Sequence, residues 1–411
     1  MDAHSTYAMG FFWAGRGLAA FGATLSSLAI PFMLTVSLGL DPVSASLVMA
    51  APLVMNLLSP LYAGVMADAL DRRVVMVLAD VIRAVLLASL GVVVQYSTTV
   101  AIPALVVLNS LLAIASAVSN ASFRAGFPDI VGESALYRAN ARLQYIGTVS
   151  SSAGGLLGGA LMGALGAPPA LFINAALVLI SAGSAATVPW PLSAPSSRSG
   201  SRRKKLPYWR RVGQGFELVW QDRLLLSLVT ASTLTNLFVS VGSFALLWLL
   251  VRINEFSYFS YVLVLSVGSV GAVLGALSSE RISSRLTTPW IVQGTALLLY
   301  GTFLASYGFV SGNGWGVVVL CCALDLVIGF ALSLYVISNS VQQQRIVGSA
   351  ERGSVSAVRS FGNGLALAGG TALAGLGVSA LDSHLIMFLS GLGIFVSGVV
   401  FLWRVAKHVR R

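Results

Sequence analysis

Long apolar runs separated by short polar breaks dominate the chain. A helix needs about 20 predominantly apolar residues to cross the hydrocarbon of a bilayer. Twelve runs are predicted to span a membrane: 9–38, 43–66, 74–95, 100–122, 141–164, 168–190, 223–250, 257–278, 289–310, 314–340, 355–379 and 383–403. The runs lack the apolar–polar alternation of barrel strands. We therefore predict an all-α membrane protein with twelve transmembrane helices.

The composition agrees with this prediction. Of the 411 residues, 56% are apolar and only 9% are charged, and the mean hydropathy is +0.86. Soluble domains carry about 25% charged residues, and disordered chains combine low hydrophobicity with high net charge, so both classes are excluded. The two cysteines are adjacent and the three histidines are scattered, so we predict no disulfide framework, no metal site and no cofactor.

The basic residues are sorted to one side of the predicted spans. Both termini, the long central loop and nearly all loop arginines share that side, whereas the opposite loops hold a single cation, Arg252. Because cytoplasmic loops are enriched in Lys and Arg, we predict a multi-pass protein of the cytoplasmic (inner) cell membrane with cytoplasmic N- and C-termini. This topology accounts for the net charge of +11, so no nucleic-acid partner is predicted.

A hydrophilic stretch divides the twelve runs into six and six. We predict three segments: an N-terminal half over 1–190, a basic cytoplasmic linker over 191–215 and a C-terminal half over 216–411. At an offset of 212 residues Asp68 falls on Glu280, and at an offset of 216 the stretch 129–132 resembles 345–348. These matches predict two pseudo-symmetric six-helix halves, an arrangement that alternating-access transporters use.

The loop after the second predicted span carries a motif. Residues 64–73 read Gly-Val-Met-Ala-Asp-Ala-Leu-Asp-Arg-Arg. This resembles the loop signature of the major facilitator superfamily, Gly-x-x-x-Asp-(Arg)-x-(Gly)-Arg-Arg, with departures at Ala69 and Asp71. Asp80-x-x-Arg83 and the stretch 127–141 resemble the branch that contains macrolide-efflux and enterobactin-exporter-like proteins. The resemblance implies the major facilitator fold.

The resemblance also implies that this loop is a conformational latch, formed while the inner gate is closed and broken when the gate opens. The gate and latch residues are then Gly64, Asp68, Asp71, Arg72, Arg73, Asp80 and Arg83. A glycine lets two helices approach closely, and a carboxylate near a helix start accepts backbone N–H donors. The alternative is that Arg72 and Arg73 only mark the cytoplasmic side.

Asp325 is the most informative charge inside a predicted span. It lies near the middle of the run 314–340, and its nearest neighbours in sequence include no cation. Removal from water favours the protonated, neutral form of a carboxyl, so Asp325 is our candidate for proton coupling. The alternative is a permanently protonated carboxyl that bonds a neighbouring helix.

Other side chains within the spans are candidates to line a substrate cavity. By analogy with the family, the seventh span is a cavity helix, and aromatic residues on the first and seventh spans are candidates to line an apolar pocket. The cavity candidates are Arg16, Phe21, Asn236, Phe238 and Phe244. Arg16, like Asp80 and Arg83, either attracts an anionic substrate or belongs to a structural network. The aromatic residues either meet substrate, face lipid or pack between helices.

Two spans carry glycines at four-residue spacing, which lets helix backbones approach and slide. These are Gly155, Gly159 and Gly163 in the fifth span and Gly271 and Gly275 in the eighth. In the family these two spans meet between the halves, so the resemblance implies interface glycines. The alternative is static helix packing.

The chain lacks a P-loop, a nucleophile elbow and a filter-like loop, so we predict neither an enzyme nor a channel. The resemblance predicts a monomeric secondary active transporter that exports an apolar or amphiphilic small molecule in exchange for protons by alternating access. The alternatives are export of a siderophore or lipid-like metabolite, import of a nutrient, and a non-transporting receptor on the same fold.

Overall fold

The computed structural model describes residues 3–69, 71–96, 102–131, 136–188, 208–285, 289–347 and 352–409. These residues form thirteen α-helices and no strand. The helices are α1 (Ala3–Phe32), α2 (Pro42–Ala69), α3 (Arg72–Tyr96), α4 (Ile102–Val131), α5 (Leu136–Leu165), α6 (Ala167–Thr187), α7 (Tyr208–Gln221), α8 (Arg223–Leu247), α9 (Tyr258–Arg285), α10 (Pro289–Ser306), α11 (Trp315–Ile346), α12 (Arg352–Ala380) and α13 (Ser383–Val409). The predicted all-α fold is confirmed.

Ten of the described helices are long and apolar enough to cross a membrane, judged by length and composition. They are α1–α4, α6, α8, α9 and α11–α13. The remaining predicted spans, 141–164 and 289–310, coincide with α5 and α10. α10 has 18 residues and continues as a 3-10 turn, Tyr307–Phe309. Both helices are therefore present, and their assignment as spans stays a prediction.

One helix, α7, is not among the predicted elements. Most of the predicted linker 191–215 lies outside the described residues, and its described end is helical. Val212 and Val219 of α7 are buried in a cluster with Val355 and Val358 of α12, whereas Phe216 and Trp220 are exposed. α7 is thus an amphipathic helix whose apolar face is set by residues about seven positions apart. In the sequence, α7 adjoins and partly overlaps a run of basic residues, so the predicted linker includes its first half.

By packing, the chain divides into two compact units. The first comprises Met1–Leu40 and Ala51–Lys205, and the second comprises Asp41–Ala50 and Leu206–Arg411. In the first unit, α1 packs against α5 and α6, and α3 packs against α4 and α6. Aromatic side chains of α1 and α4 form one buried cluster there, with ring centroids 5.1–6.1 Å apart: Phe12, Trp13, Phe123 and Phe127.

In the second unit the helices also pack in adjacent pairs. α9 and α11 form the most extensive pair, α10 lies against α11 and α13, and α8 lies against α12 and α13. The α9–α11 pair is close because glycines face backbone across it. A Cβ on Gly271 would collide with the Leu326 carbonyl, and a Cβ on Gly275 would collide with the Phe330 carbonyl. Small residues are the usual means by which membrane helices approach closely.

The first long helix of each unit ends in the same way. α1 continues into a π-helical turn over Met33–Ser37, and α8 continues into one over Trp248–Ile253. The closing hydrogen bonds match at an offset of 216 residues: Leu38 N donates to Met33 O at 2.9 Å, and Asn254 N donates to Leu249 O at 2.8 Å. π-helical turns are rare, so their recurrence agrees with two pseudo-symmetric halves.

Candidate functional site

Asp325 lies in α11 with only 8% of its surface exposed. It faces α9, where a Cβ on Gly268 would collide with its Oδ2 and lie 3.0 Å from its Cγ. A Cβ on Gly329, one turn further along α11, would collide with the Gly268 carbonyl. The space for the carboxyl therefore exists because glycine occupies both positions.

Three tyrosines from neighbouring elements surround this carboxyl. Tyr261 of α9, Tyr300 of α10 and Tyr307 of the following 3-10 turn interact electrostatically with Asp325. Their exposed fractions are 7%, 4% and 0%. The Tyr307 hydroxyl donates to the Cys321 carbonyl of α11 at 3.0 Å. We call Asp325, Gly268 and these three tyrosines the Asp325 pocket.

The chemistry of the Asp325 pocket follows from what surrounds the acid. Within the described residues, no Lys, Arg or His side chain forms an ion pair with Asp325. Phenol hydroxyls can donate hydrogen bonds to a carboxylate, but they supply no full positive charge. The pocket can thus hold a carboxyl that gains and loses a proton without a fixed counter-ion.

The first unit contains a second intramembrane acid with a different environment. Asp80 of α3 is 1% exposed. Its Oδ1 accepts from Arg83 Nη1 at 2.9 Å and from the Ser119 hydroxyl of α4 at 2.7 Å. The Arg16 guanidinium of α1 lies 4.1 Å from the Phe123 ring centroid and interacts electrostatically with Asp80 and Arg83. We call these five residues the Asp80 cluster.

The Asp80 cluster holds two guanidinium groups and one carboxylate. The Nε atoms of Arg16 and Arg83 are buried without a hydrogen-bond partner in the structure. The i, i+3 spacing of Asp80 and Arg83 in the sequence predicts their proximity on one helix face, and the structure brings them into an ion pair. Arg16 joins them because α1 and α4 pack their aromatic residues together.

The described part of the predicted latch bonds to backbone groups of three helices, α3, α4 and α6. Asp71 precedes α3, and its Oδ1 accepts from Arg73 N at 2.9 Å. Arg72 Nη1 donates to the Ala125 carbonyl of α4 at 3.1 Å, and Arg73 Nη2 donates to the Ala186 carbonyl of α6. Ala186 lies in the last turn of α6, where an arginine interacts favourably with the helix dipole, whereas Ala125 lies six residues before the end of α4. Gly64 and Asp68 lie in α2, but the surroundings of Gly64 and the side chain of Asp68 are not among the described features.

The cavity candidates are dispersed within their own units. Phe21 lines a recess of about 570 Å³ between α1 and α5, and Asn236 Nδ2 donates to the Ser232 carbonyl at 2.8 Å. Phe238 packs on Gly393 of α13. Phe244 is fully buried and stacks on Trp248 with ring centroids 6.3 Å apart. A role in substrate binding stays a prediction for each.

The predicted interface glycines are placed only in part. Gly271 and Gly275 face the α11 backbone inside their own unit. The described contacts of the α5 glycines belong to the neighbours of the predicted set: a Cβ on Gly154 would lie 2.9 Å from the Phe21 carbonyl oxygen, and one on Gly158 would lie 3.0 Å from Leu25 Cδ2. The surroundings of Gly159 and Gly163 are not among the described features, so the interface role of this set remains a prediction.

Arg359 is a further intramembrane cation that is not among the predicted site residues. It lies within the candidate span Ser354–Ala380. Its Nη1 donates to Asn339 Oδ1 at 3.5 Å and to Gln343 Oε1, both on α11. Asn339 in turn donates to the Tyr335 hydroxyl at 3.1 Å. An arginine this close to the start of a predicted run reads as a topology signal, but its partners are neutral amides inside the helix bundle.

The whole chain has the fold of several solved transporters. A structure of the nucleoside transporter NupG (D323A mutant) has a TM-score of 0.78 and 17% identity, covering 96% of this chain and 99% of that chain. A bacterial homologue of the iron transporter ferroportin, in an inward-facing state, has a TM-score of 0.73, 18% identity and coverages of 98% and 99%. An auto-inhibited POT family peptide transporter has a TM-score of 0.72, 14% identity and coverages of 98% and 97%. A search of curated proteins finds no match.

These observations define a class by fold, the polytopic α-helical membrane proteins. The model of the Major Facilitator Superfamily matches residues 12–371. The chain therefore belongs to the major facilitator superfamily, and the resemblance seen in its loop motif is confirmed at that level. It is a transporter rather than an enzyme. Its identity to each of these three solved transporters is below 20%, so its substrate has to be inferred from its own residues.

Proposed function

We propose that this transporter exports an apolar or amphiphilic small molecule in exchange for protons by alternating access, and that Asp325 carries the coupled proton. The observation that supports the proposal is the Asp325 pocket: a buried carboxyl, three tyrosines and no ion-paired cation among the described residues. A carboxyl in such a place is expensive to keep charged. Exposure to water from one side and then the other would let it release and take up a proton.

The recess beside Phe21 between α1 and α5 is lined mostly by apolar side chains, which favours an apolar or amphiphilic cargo over a sugar-like one. The resemblance of Asp80-x-x-Arg83 and residues 127–141 to the macrolide-efflux and enterobactin-exporter-like branch also supports export. We further propose that both termini lie in the cytoplasm, as the sorting of arginines favours, and that the protein works as a monomer in the cytoplasmic membrane.

A reconstituted system tests this proposal. The purified protein is placed in liposomes with an imposed pH gradient, and the accumulation of labelled erythromycin or ethidium is measured as two amphiphilic probes. We expect the probe to accumulate in liposomes with an acidic interior, because protons leave in exchange for the entering probe. This accumulation should disappear when a protonophore is added. Accumulation that ignores both the gradient and the protonophore would refute proton exchange.

Arg359 supports a second candidate, export of an amphiphile with an acidic group, such as a siderophore or a lipid-like metabolite. Its guanidinium is half-buried and bonded only to neutral oxygens in the described structure, so it can attract an anion inside the membrane. The comparison of Arg359→Lys with Arg359→Gln tests this candidate. An acidic probe should lose affinity in Arg359→Gln and keep most of it in Arg359→Lys, whereas a neutral probe should bind both variants equally.

A further inference from the structure

A groove runs along the outside of the second unit between α8 and α13. Its volume is about 720 Å³ and its lining is almost entirely apolar. Gly393 allows the two helices to meet at its floor, since a Cβ there would collide with the Phe238 ring. The apolar lining residues are Ala231, Leu234, Phe238, Leu389, Leu392, Val396, Val400 and Phe401.

The groove has the length of an acyl chain. It extends along α13 from Leu389 to Arg404, which is about 22 Å at the rise of an α-helix. One leaflet of hydrocarbon is about 15 Å thick, half of the bilayer core. Leu389, Leu392 and Val396 are 40–47% exposed along it, so the groove offers apolar surface from the membrane interface past the bilayer centre.

One end of the groove is basic. A second recess of about 750 Å³ adjoins it, shares Ser227 and Arg404 with it, and is lined by Arg223, Trp403 and Lys407. In the described structure, no acidic side chain forms an ion pair with any of the three cations. The adjacent acid, Asp222, caps α8 by accepting from Leu224 N at 2.7 Å and Leu225 N at 3.2 Å, so its charge is engaged by the helix start.

We propose that this groove is a binding site for an anionic phospholipid of the host bilayer. An acyl chain would lie in the apolar groove, and the phosphate would meet Arg223, Arg404 and Lys407. Trp403 is 63% exposed beside them, and tryptophan favours the headgroup level of a membrane. Charge complementarity selects this occupant, because a neutral lipid would use the groove but bring no net negative charge to the three cations.

Lipid titration followed by native mass spectrometry tests the site. The full-length protein in a neutral detergent is titrated with phosphatidylglycerol and with phosphatidylcholine of the same acyl chains. Each basic side chain near a headgroup strengthens binding about fivefold. The triple variant Arg223→Gln, Arg404→Gln, Lys407→Gln should therefore bind phosphatidylglycerol about one hundredfold more weakly, and Arg404→Gln alone about fivefold more weakly.

Two further variants separate this site from general lipid contact. Arg252→Gln is the matched control, because Arg252 lies 5.8 Å from the Trp248 ring as Lys407 lies 5.4 Å from the Trp403 ring, but it lines neither recess. It should leave the affinity unchanged. Val396→Trp fills the groove and should weaken binding with all three cations intact. An unchanged melting temperature shows that each variant is folded.

Three results would overturn the proposal. The first is equal affinity for phosphatidylglycerol and phosphatidylcholine in the unmodified protein. The second is an equal loss of affinity in Arg252→Gln and Arg404→Gln. The third is that glycerol phosphate, which carries the charge without acyl chains, competes as well as the whole lipid, since the apolar groove would then play no part.

Discussion

Asp80 and Asp325 are both acidic side chains buried in candidate spans, at 1% and 8% exposure. Asp80 has a counter-ion 2.9 Å away in Arg83 and a second guanidinium in its cluster. Asp325 has tyrosine hydroxyls and no ion-paired cation among the described residues. An ion-paired carboxylate holds its charge and ties helices together, whereas an unpaired one can exist in a protonated and a charged form.

Under the proposed function, the two acids have different roles. The Asp80 cluster joins α1, α3 and α4 through contacts to one carboxylate. In the Asp325 pocket, glycines allow α9 and α11 to approach closely, and no ion pair of Asp325 occurs among the described residues. The predictions below test this contrast.

The largest expected effect on stability is at Asp80. Asp80→Asn leaves Arg83 and Arg16 without a buried counter-charge, so we expect a loss of about 3 kcal/mol in unfolding free energy. Asp325→Asn removes no ion pair and should change stability by less than about 1 kcal/mol. Thermal unfolding in detergent measures both variants. Ser119→Ala, which removes only the 2.7 Å hydrogen bond, serves as a milder variant at about 1 kcal/mol.

A second prediction concerns the space beside Asp325. Gly268→Ala places a methyl group against the carboxyl and should cost about 2 kcal/mol through overpacking. Gly369→Ala is the matched control, because a Cβ at this helical glycine meets nothing within 4 Å. Equal stability of the two variants would show that the α9–α11 contact is looser than described.

A small effect, similar to that of Ser119→Ala, is expected at an exposed acid, Asp41. Its Oδ2 accepts from Ser44 N at 3.0 Å at the start of α2, and hydrogen bonds from Ser44 hold the pKa of Asp41 below its usual value. Asp41→Ala should cost about 1 kcal/mol through loss of the cap. A lowered native pKa means that this contribution is complete above pH of about 4 and is lost as the pH falls through the native pKa.

Stability curves of the unmodified protein and Asp41→Ala should therefore converge at acidic pH. Transport measured between neutral and mildly acidic pH should be the same in both. A change in the pH dependence of transport in Asp41→Ala would weaken the assignment of coupling to Asp325.

Much of the fold could be predicted from the sequence, because a membrane span requires a long apolar run and such runs are easily seen. α7 could not, since it has only 14 residues, too few for a span, and its first turn carries Arg210 and Arg211. The position of Asp325 in a span was visible, and so was the i, i+3 pairing of Asp80 with Arg83. These are properties of one helix at a time.

The remaining parts of the sites depend on which helix faces which. Tyr261, Tyr300 and Tyr307 come from three different elements, and only the packing of α9, α10 and α11 brings them to Asp325. Arg16 of α1 lies near Asp80 because its guanidinium packs on the ring of Phe123 in α4. Such contacts leave no spacing pattern in the sequence, so the pocket had to be seen in three dimensions.

The most direct test of the account is the proton flux that accompanies transport. Liposomes loaded with a pH-sensitive dye report protons moved when a transported probe is added. We predict that Asp325→Asn exchanges labelled for unlabelled probe but moves no protons, whereas folded Asp80→Asn protein that still transports moves protons with the probe as the unmodified protein does. Substrate-dependent proton flux that persists in Asp325→Asn would contradict the account.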